Sequence, residues 1–412
     1  MKIKLDLKTK KSIVSQYKKE YQKKSTNKLR KKDILNQVCE LTSLNRKYVS
    51  TCLSGKVKLL GKNQKPKKRN FTAYYDNEVK KHLKKLWELC NQTCGKLLIS
   101  QIPIFLPFYE NEYGALTEEV HNKLLSISSA TIDRLLTDEK RSIFETHEIK
   151  NTSANNASLK SLVPIRTHDE WNMREVPLGW VQIDLVHHCN GDVSGDYIHT
   201  LEIVEYQTGW SQSSACINRA QIHVHKALEF SKHKFPFKIV HVHYDNGAEF
   251  LNDQMIRFCK LENIEYSRSR PYKKEDNFFV ENRNGHLIRK NIGYMRYEGE
   301  ADLFLLNQLH EIFNLYTNFF LPQKRCIKKI KVNKKMKKSY DNPRTPFIRV
   351  LEQKDVSKQA KRTLQKEYKN MNPINLKKKL IVLQNILILN AEARKVRAIK
   401  YAKSNNLELN LG

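Results

Sequence analysis

The sequence predicts an α/β core, a mixed five-stranded sheet with helices, flanked by all-α basic regions. Three observations predict it. Between Trp180 and Arg268 apolar residues alternate with period two in runs broken by turn residues, and helical periods separate the later runs. The charge is divided in the same way: residues 1–174 carry +17 and residues 322–412 carry +19, whereas residues 175–321 carry −4, within a total of +32. That middle segment also sets three carboxylates at strand and helix positions. Basic flanks around an acidic middle suit a polyanionic partner held by the flanks and a metal held by the middle.

Residues 1–69 form a basic N-terminal helix-turn-helix region and linker. Ile34, Leu35, Val38 and Leu41 make a helical stripe, and Asn45 caps a second helix carrying Tyr48, Val49, Cys52 and Leu53. Residues 56–69, rich in lysine, read as a linker. A second helix-turn-helix domain is expected over 70–140. In it Val79, Leu83, Leu86 and Cys90 recur at helical spacing until Gly95, a short helix spans 117–125, and Ser128 caps a helix over 129–136. Thr131 and Arg134 face outward on that last helix, as recognition residues for a DNA groove do. Residues 141–174, with the polar run at 151–158, read as a linker.

The core, 175–321, reads as strands over 180–186, 197–204 and 210–217, a helix over 219–232, a strand over 238–244, a helix over 248–262, a strand over 265–268 and a helix over 277–292. This order places Asp184 in the first strand, Asp245 at the end of the fourth and Glu281 on the last helix. Sixty residues separate the first pair and 35 the second. Carboxylates so placed can meet on a pair of divalent cations, the arrangement that makes and breaks phosphodiesters. Taken singly, Asp184 reads as an edge-strand charge, Asp245 as a turn residue before Asn246-Gly247, and Glu281 as a solvated helix residue; their joint placement argues otherwise.

The run Asp245-Asn-Gly-Ala-Glu-Phe250, the run Ser269-Arg-Pro-Tyr272, the 35-residue gap and Val280-Glu281-Asn282 resemble the catalytic core of retroviral-type integrases and of bacterial insertion-sequence transposases. Cys94-Gly95-Lys96, residues 124–136 and Pro164-Ile-Arg-Thr167 extend the resemblance over most of the chain. It implies an RNase H-like fold in which Asp184, Asp245 and Glu281 hold two Mg²⁺ ions, with Mn²⁺ as a substitute. It also implies cleavage at the ends of a mobile element followed by strand transfer into double-stranded target DNA by a homo-oligomer. Asn246, Gly247 and Glu249 are given supporting roles around Asp245, and His188 a position near substrate. Two other readings stand: a catalytically inactive, transposase-derived DNA-binding protein, and an RNase H-like nuclease that cuts without joining.

The sequence departs from retroviral integrases in two ways. No His-His-Cys-Cys zinc module is visible, and the positions four and seven residues after Glu281 are Gly285 and Ile288. DNA contacts from that helix are therefore expected from Arg283, Arg289 or Lys290. His241 and His243, which share a strand face with Asp245, and His187-His188-Cys189 lack complete ligand sets, so they read as hydrogen-bonding residues. Residues 322–412 are a basic region for DNA binding and assembly. In it, Lys324 to Lys338 reads as a strand or arm against DNA, with Lys334 and Lys335 as contacts. Asp355 and Asn372-Pro373 open two helices, the second with a stripe of Leu376, Leu380, Leu383, Leu387 and Ile388. Eight unpaired cysteines without zinc-site spacing suit a reducing, cytoplasmic, nucleoid-associated setting, and no apolar run is long enough for a membrane span.

Overall fold

Three capped helices make the first of two units into which the chain divides, residues 1–76 and 77–412. The computed structural model describes residues 6–23, 25–55, 74–144, 165–166, 176–270, 274–332 and 335–404. The linker expected at 56–69 and most of that expected at 141–174 lie outside them.

In the first unit, Asp6, Asn27 and Asn45 each accept a first-turn N–H to start α1 (Leu7–Gln22), α2 (Lys28–Thr42) and α3 (Arg46–Leu53). Ser43 takes the left-handed conformation that ends α2, at φ 53°. Val14, Ile34, Val38, Val49, Cys52 and Leu53 form the core, so α1 covers the helix-turn-helix pair. Burying a Val, Ile or Leu side chain stabilises by roughly 1.5–3 kcal/mol.

The second unit opens with α4 (Asn77–Leu89), α5 (Gly95–Tyr113), α6 (Glu118–Ser126), α7 (Ser129–Leu135) and α8 (Thr137–Phe144). Helix α5 was hidden from the sequence by Gly95, which reads as a stop, and by Pro103 and Pro107 inside it. Gly95 instead starts the helix. A Cβ there would lie 2.3 Å from the Ser129 carbonyl oxygen, and the Gly95 N–H donates to Asp133 Oδ1 at 2.9 Å, so only glycine lets α5 approach α7.

Strands β1 (Trp180–His187), β2 (His199–Glu205) and β3 (Ser211–Cys216), helix α9 (Gln221–Lys232), β4 (His241–Tyr244), α10 (Asp253–Leu261) and β5 (Glu265–Arg268) follow. They form a five-stranded sheet in the order β3-β2-β1-β4-β5, the first three antiparallel and β4 and β5 parallel to β1. This is the mixed sheet of an RNase H-like fold. Next come α11 (Phe278–Arg283), a π-helical turn over Asn284–Arg289, α12 (Lys290–Ile292) and the long α13 (Gly299–Phe320).

Helix α13 covers the free edge of β3 with asparagines. Asn318, Asn314 and Asn307 each pair both amide atoms with the backbone N–H and carbonyl of Ser211, Ser213 and Ala215, at 2.8–3.4 Å. Their carboxamides stand in for the missing strand, and an edge that would pair with another chain is closed. The other side of α13 receives α5: Phe105 meets Tyr316 and Phe320 edge-on, and the Tyr316 hydroxyl donates to the Leu89 carbonyl.

Beyond α13 the basic stretch forms a hairpin, β6 (Cys326–Val332) and β7 (Lys335–Tyr340), and α14 (Pro346–Glu352), absent from the sequence reading, follows it. Ser357, not Asp355, caps α15 (Lys358–Lys369), and Asn372 caps α16 (Pro373–Ser404), accepting from Ile374 N at 2.9 Å. Of the stripe on α16, Leu380 and Leu387 are buried in the core whereas Ile388 is exposed.

Candidate active site

Strand β1 supplies two polar side chains on one face, two residues apart. Asp184 is the first. Its Oδ1 accepts from Leu185 N at 2.9 Å and its Oδ2 from Asn284 Nδ2 at 2.7 Å. The second is Gln182, fully buried. Its Oε1 accepts from Phe279 N at 2.9 Å and Val280 N at 3.3 Å, and its Nε2 donates to the Asp276 carbonyl at 3.1 Å. Gln182 therefore caps α11, the helix that carries Glu281. Asp276, buried, is locked by a bidentate pair from Arg270 at 2.8 and 2.9 Å.

Asp245 follows β4, which pairs with β1. Its Oδ1 accepts from Gly247 N at 2.9 Å, closing a tight turn. Asn246 ties that turn to β5, donating to the Ser269 carbonyl at 2.9 Å and accepting from Arg268 Nη1 at 3.0 Å. Glu249 folds back over Gly247, where a Cβ would lie 2.5 Å from Glu249 Oε1.

Burial pushes the Asp184 carboxyl well above the ordinary carboxylate range; Asp245 raises it further, as do Glu281 and Glu249, against the Leu185 N–H. Burial likewise raises Asp245 and Glu249, and Arg219 opposes the rise at Glu249. Asp245, Glu281 and Glu249 thus all lie within electrostatic range of Asp184. Among the described residues no group of three or more His, Cys, Asp or Glu side chains closes into a metal-holding set. Both Asp184 oxygens are already engaged, and Asn284 Oδ1 is buried without a partner. The all-oxygen donors Asp184, Asp245 and Glu281, with Glu249 beside them, suit a hard divalent cation, whose charge would relieve their mutual repulsion.

The remaining expected site residues fall in different places. Arg283 is corrected: it is buried, donating through Nη2 to the Gly209 carbonyl and Ser211 Oγ, both at 2.7 Å, so it does not reach DNA. Burial lowers its pKa to about 10 against the pull of Glu202. His188 is corrected as well. It is fully buried, with Nε2 2.8 Å from Thr200 Oγ1, and cannot touch substrate. Lys290 turns to the end of α4, donating to the carbonyls of Asn91 at 2.6 Å and Gln92 at 3.2 Å. Thr131 and Arg134 bond to each other at 3.0 Å on α7, with Arg134 exposed. Lys335 lies in β7, and Lys334 lies outside the described residues.

Arg289 is different. The π turn adds one residue per turn, so the position eight residues after Glu281 takes the face that position seven holds on an α-helix. Ile288 is fully buried, whereas the Arg289 guanidinium donates to the His187 carbonyl at 2.8 Å and is attracted by Asp184. Sequence reasoning missed Gln182, Asn284 and Arg219. A glutamine inside the apolar run Trp-Val-Gln-Ile-Asp-Leu-Val was the one available signal.

The sheet order β3-β2-β1-β4-β5 and its helices define an RNase H-like fold. No protein-family model matches the chain. It is 32% identical over 322 residues to the uncharacterized protein y4rM of Sinorhizobium fredii (strain NBRC 101917 / NGR234), spanning 77% of this chain and 89% of that protein. The chain belongs to the family of that protein. Among solved structures it is similar to the HTLV-2 integrase catalytic core domain in complex with magnesium, with 18% identity and TM-score 0.27 over 36% of this chain and 92% of that one. It is also similar to the BIV integrase catalytic core domain, with 19% identity and TM-score 0.25 over 34% of this chain and 83% of that one.

Proposed function

We propose that the chain is a transposase: a polynucleotidyl transferase that binds the ends of a mobile DNA element, cuts them and joins them to target DNA. The observation that carries this is that β1, which bears Asp184, pairs with β4, which leads to Asp245 and Glu249, and through Gln182 caps the helix of Glu281. Asp184, Asp245 and Glu281 would hold Mg²⁺ or Mn²⁺. When bound, such ions lower the barrier to in-line displacement at a phosphodiester by activating the attacking oxygen and stabilising the leaving one.

The chain's own residues do the positioning. Gln182 fixes the helix of Glu281, Asn284 orients Asp184, and Asn246 holds the turn of Asp245. Arg289 and Arg219 supply positive charge beside the carboxylates for the scissile strand. Water first releases a 3′ hydroxyl at the element end. That oxygen then attacks a target phosphorus as the bond to the departing strand's 3′ oxygen breaks.

DNA recognition falls to the flanks. The proposed division is 1–69 and 70–140 for end binding, with Thr131 and Arg134 on α7 as contacts, 175–321 for chemistry and 322–412 for DNA and assembly. Self-association is supported by α16, where Val382, Ile386, Leu389 and Val396 are exposed, and these with Ala393 follow the 4-3-4-3 spacing of a helix-pairing seam.

The test is incubation of the protein with labelled element-end DNA, Mg²⁺ and a plasmid. Joined products that Asp245→Asn abolishes, with salt-sensitive DNA binding retained, support the proposal. Cleavage without joining identifies a nuclease, and binding alone an inactive DNA-binding protein.

A further inference from the structure

Between Cys326 and Tyr340 the hairpin has seven lysines and no Asp or Glu. Its register sets Lys329 opposite Lys338 and Ile330 opposite Lys337. Like charges directly opposite destabilise a strand pair, and a two-stranded ribbon is already marginal in water. Ile327, Ile330 and Tyr340 are 57%, 42% and 51% exposed, so the ribbon leaves apolar side chains in solvent among its lysines.

Cross-strand partners share a face. Lys328, Ile330, Lys337 and Ser339 lie on one side. Lys338 lies on the other, with its ammonium 5.8 Å from the ring centroid of Phe278. Phe278 begins α11, three residues before Glu281, and is itself half exposed. Lys338 thereby brings its face of the ribbon toward α11, while Lys328, Ile330 and Lys337 on the other face are exposed.

A partner must neutralise closely spaced ammonium groups and also offer apolar contact. Duplex DNA does both in its major groove, which is about 12 Å wide, admits a two-stranded ribbon, and exposes guanine O6 and N7 to lysine and thymine methyl groups to apolar side chains. At about 3.3 Å per residue, the ribbon is roughly 20 Å long. That length covers about six base pairs.

We propose that β6–β7 is a reading ribbon that lies in the major groove of duplex DNA beside α11, with Lys328, Ile330 and Lys337 toward the base edges. This deepens the function proposed above and rests on its nucleic-acid reading. It adds direct sequence contact next to the cleavage point, in addition to recognition by the N-terminal helices.

The experiment uses the full chain and a mixed-sequence 30-base-pair duplex. The variants are Lys328→Gln/Lys337→Gln and Ile330→Ser, at exposed positions on the outward face, with unchanged melting by circular dichroism as the check on folding. The expected results are a slope of log affinity against log salt shallower by about 2 for the lysine pair, and binding blocked by guanine N7 methylation over about six base pairs, an interference that Ile330→Ser weakens. An unchanged slope, or interference confined to adenine N3 in the minor groove, overturns the proposal. Asp245→Asn separates the two assignments: cleavage that survives it removes the catalytic reading, whereas the N7 pattern in that same variant reports on the ribbon alone.

Discussion

Gln182 Oε1 accepts the N–H of Phe279 at 2.9 Å, so the strand that carries Asp184 also caps the helix that carries Glu281. Two carboxylates separated by 96 residues are thus referred to one backbone. Replacing Gln182 by Met keeps most of the volume but leaves the buried N–H groups of Phe279 and Val280 unsatisfied, at about 1–3 kcal/mol. Hydrogen exchange at those two amides is expected to accelerate by roughly 10- to 100-fold, with Mn²⁺ affinity falling in parallel. Unchanged exchange would show that the cap contributes nothing.

The asparagine ladder on α13 predicts a second effect. Asn314→Leu strips both the Ser213 N–H and its carbonyl of partners in a buried setting. Destabilisation of about 2–4 kcal/mol is expected, and light scattering should rise on warming because a strand edge is opened. An equal loss of stability without added scattering would mean that the ladder fills space and does not guard the edge.

Glu202 sits opposite Asp184 in the β1–β2 register and accepts from Ser213 Oγ. Burial, opposed by Arg283 and Ser213, raises its pKa from 4.5 to about 7. A carboxyl raised on folding stabilises fully below its unfolded pKa, and that contribution is lost as pH rises through the folded one. Glu202→Gln is therefore expected to gain on the parent protein as pH goes from 5 to 8, by up to about 3 kcal/mol. Thermal melts of both proteins across that range measure it; parallel pH profiles would refute it.

Arg283, which ends the helix of Glu281, and Arg289, which ends the π turn after it, should fail differently. Arg283→Met removes a buried guanidinium that ties α11 to Gly209 and Ser211, so melting temperature falls while the salt slope of DNA binding stays fixed. Arg289→Met faces the carboxylates, and strand transfer is expected to drop by at least 10-fold with little change in melting. An identical profile for the two would remove the distinction drawn from their burial.

The sequence made the sheet legible because period-two alternation and glycine turns are local signals, and Asp184, Asp245 and Glu281 could be placed by counting. What it hid was decided by tertiary contact. Helix α5 carries two prolines and a glycine that local rules treat as breakers, yet the packing of Phe105 on Tyr316 and Phe320 holds it. Arg283 looked like a surface base because nothing near it in the sequence names Gly209 or Ser211 as its acceptors. Gln182 was masked in the same way, since its acceptor role depends on a helix nearly a hundred residues away.

The π turn at Asn284–Arg289 is, in structural terms, an insertion absorbed in place. Gly285, exposed and with nothing within 4 Å of where a Cβ would stand, lies at its crest. Deleting that one residue should let the segment relax to ordinary α-helix and leave Arg289 aimed as it is now, whereas deleting a residue from α11 or α12 would swing everything beyond it by about 100°. Length variation among relatives is therefore expected to be tolerated at this crest and excluded on either side, so an alignment that forbids gaps through the helix will pair Arg289 with the wrong residue.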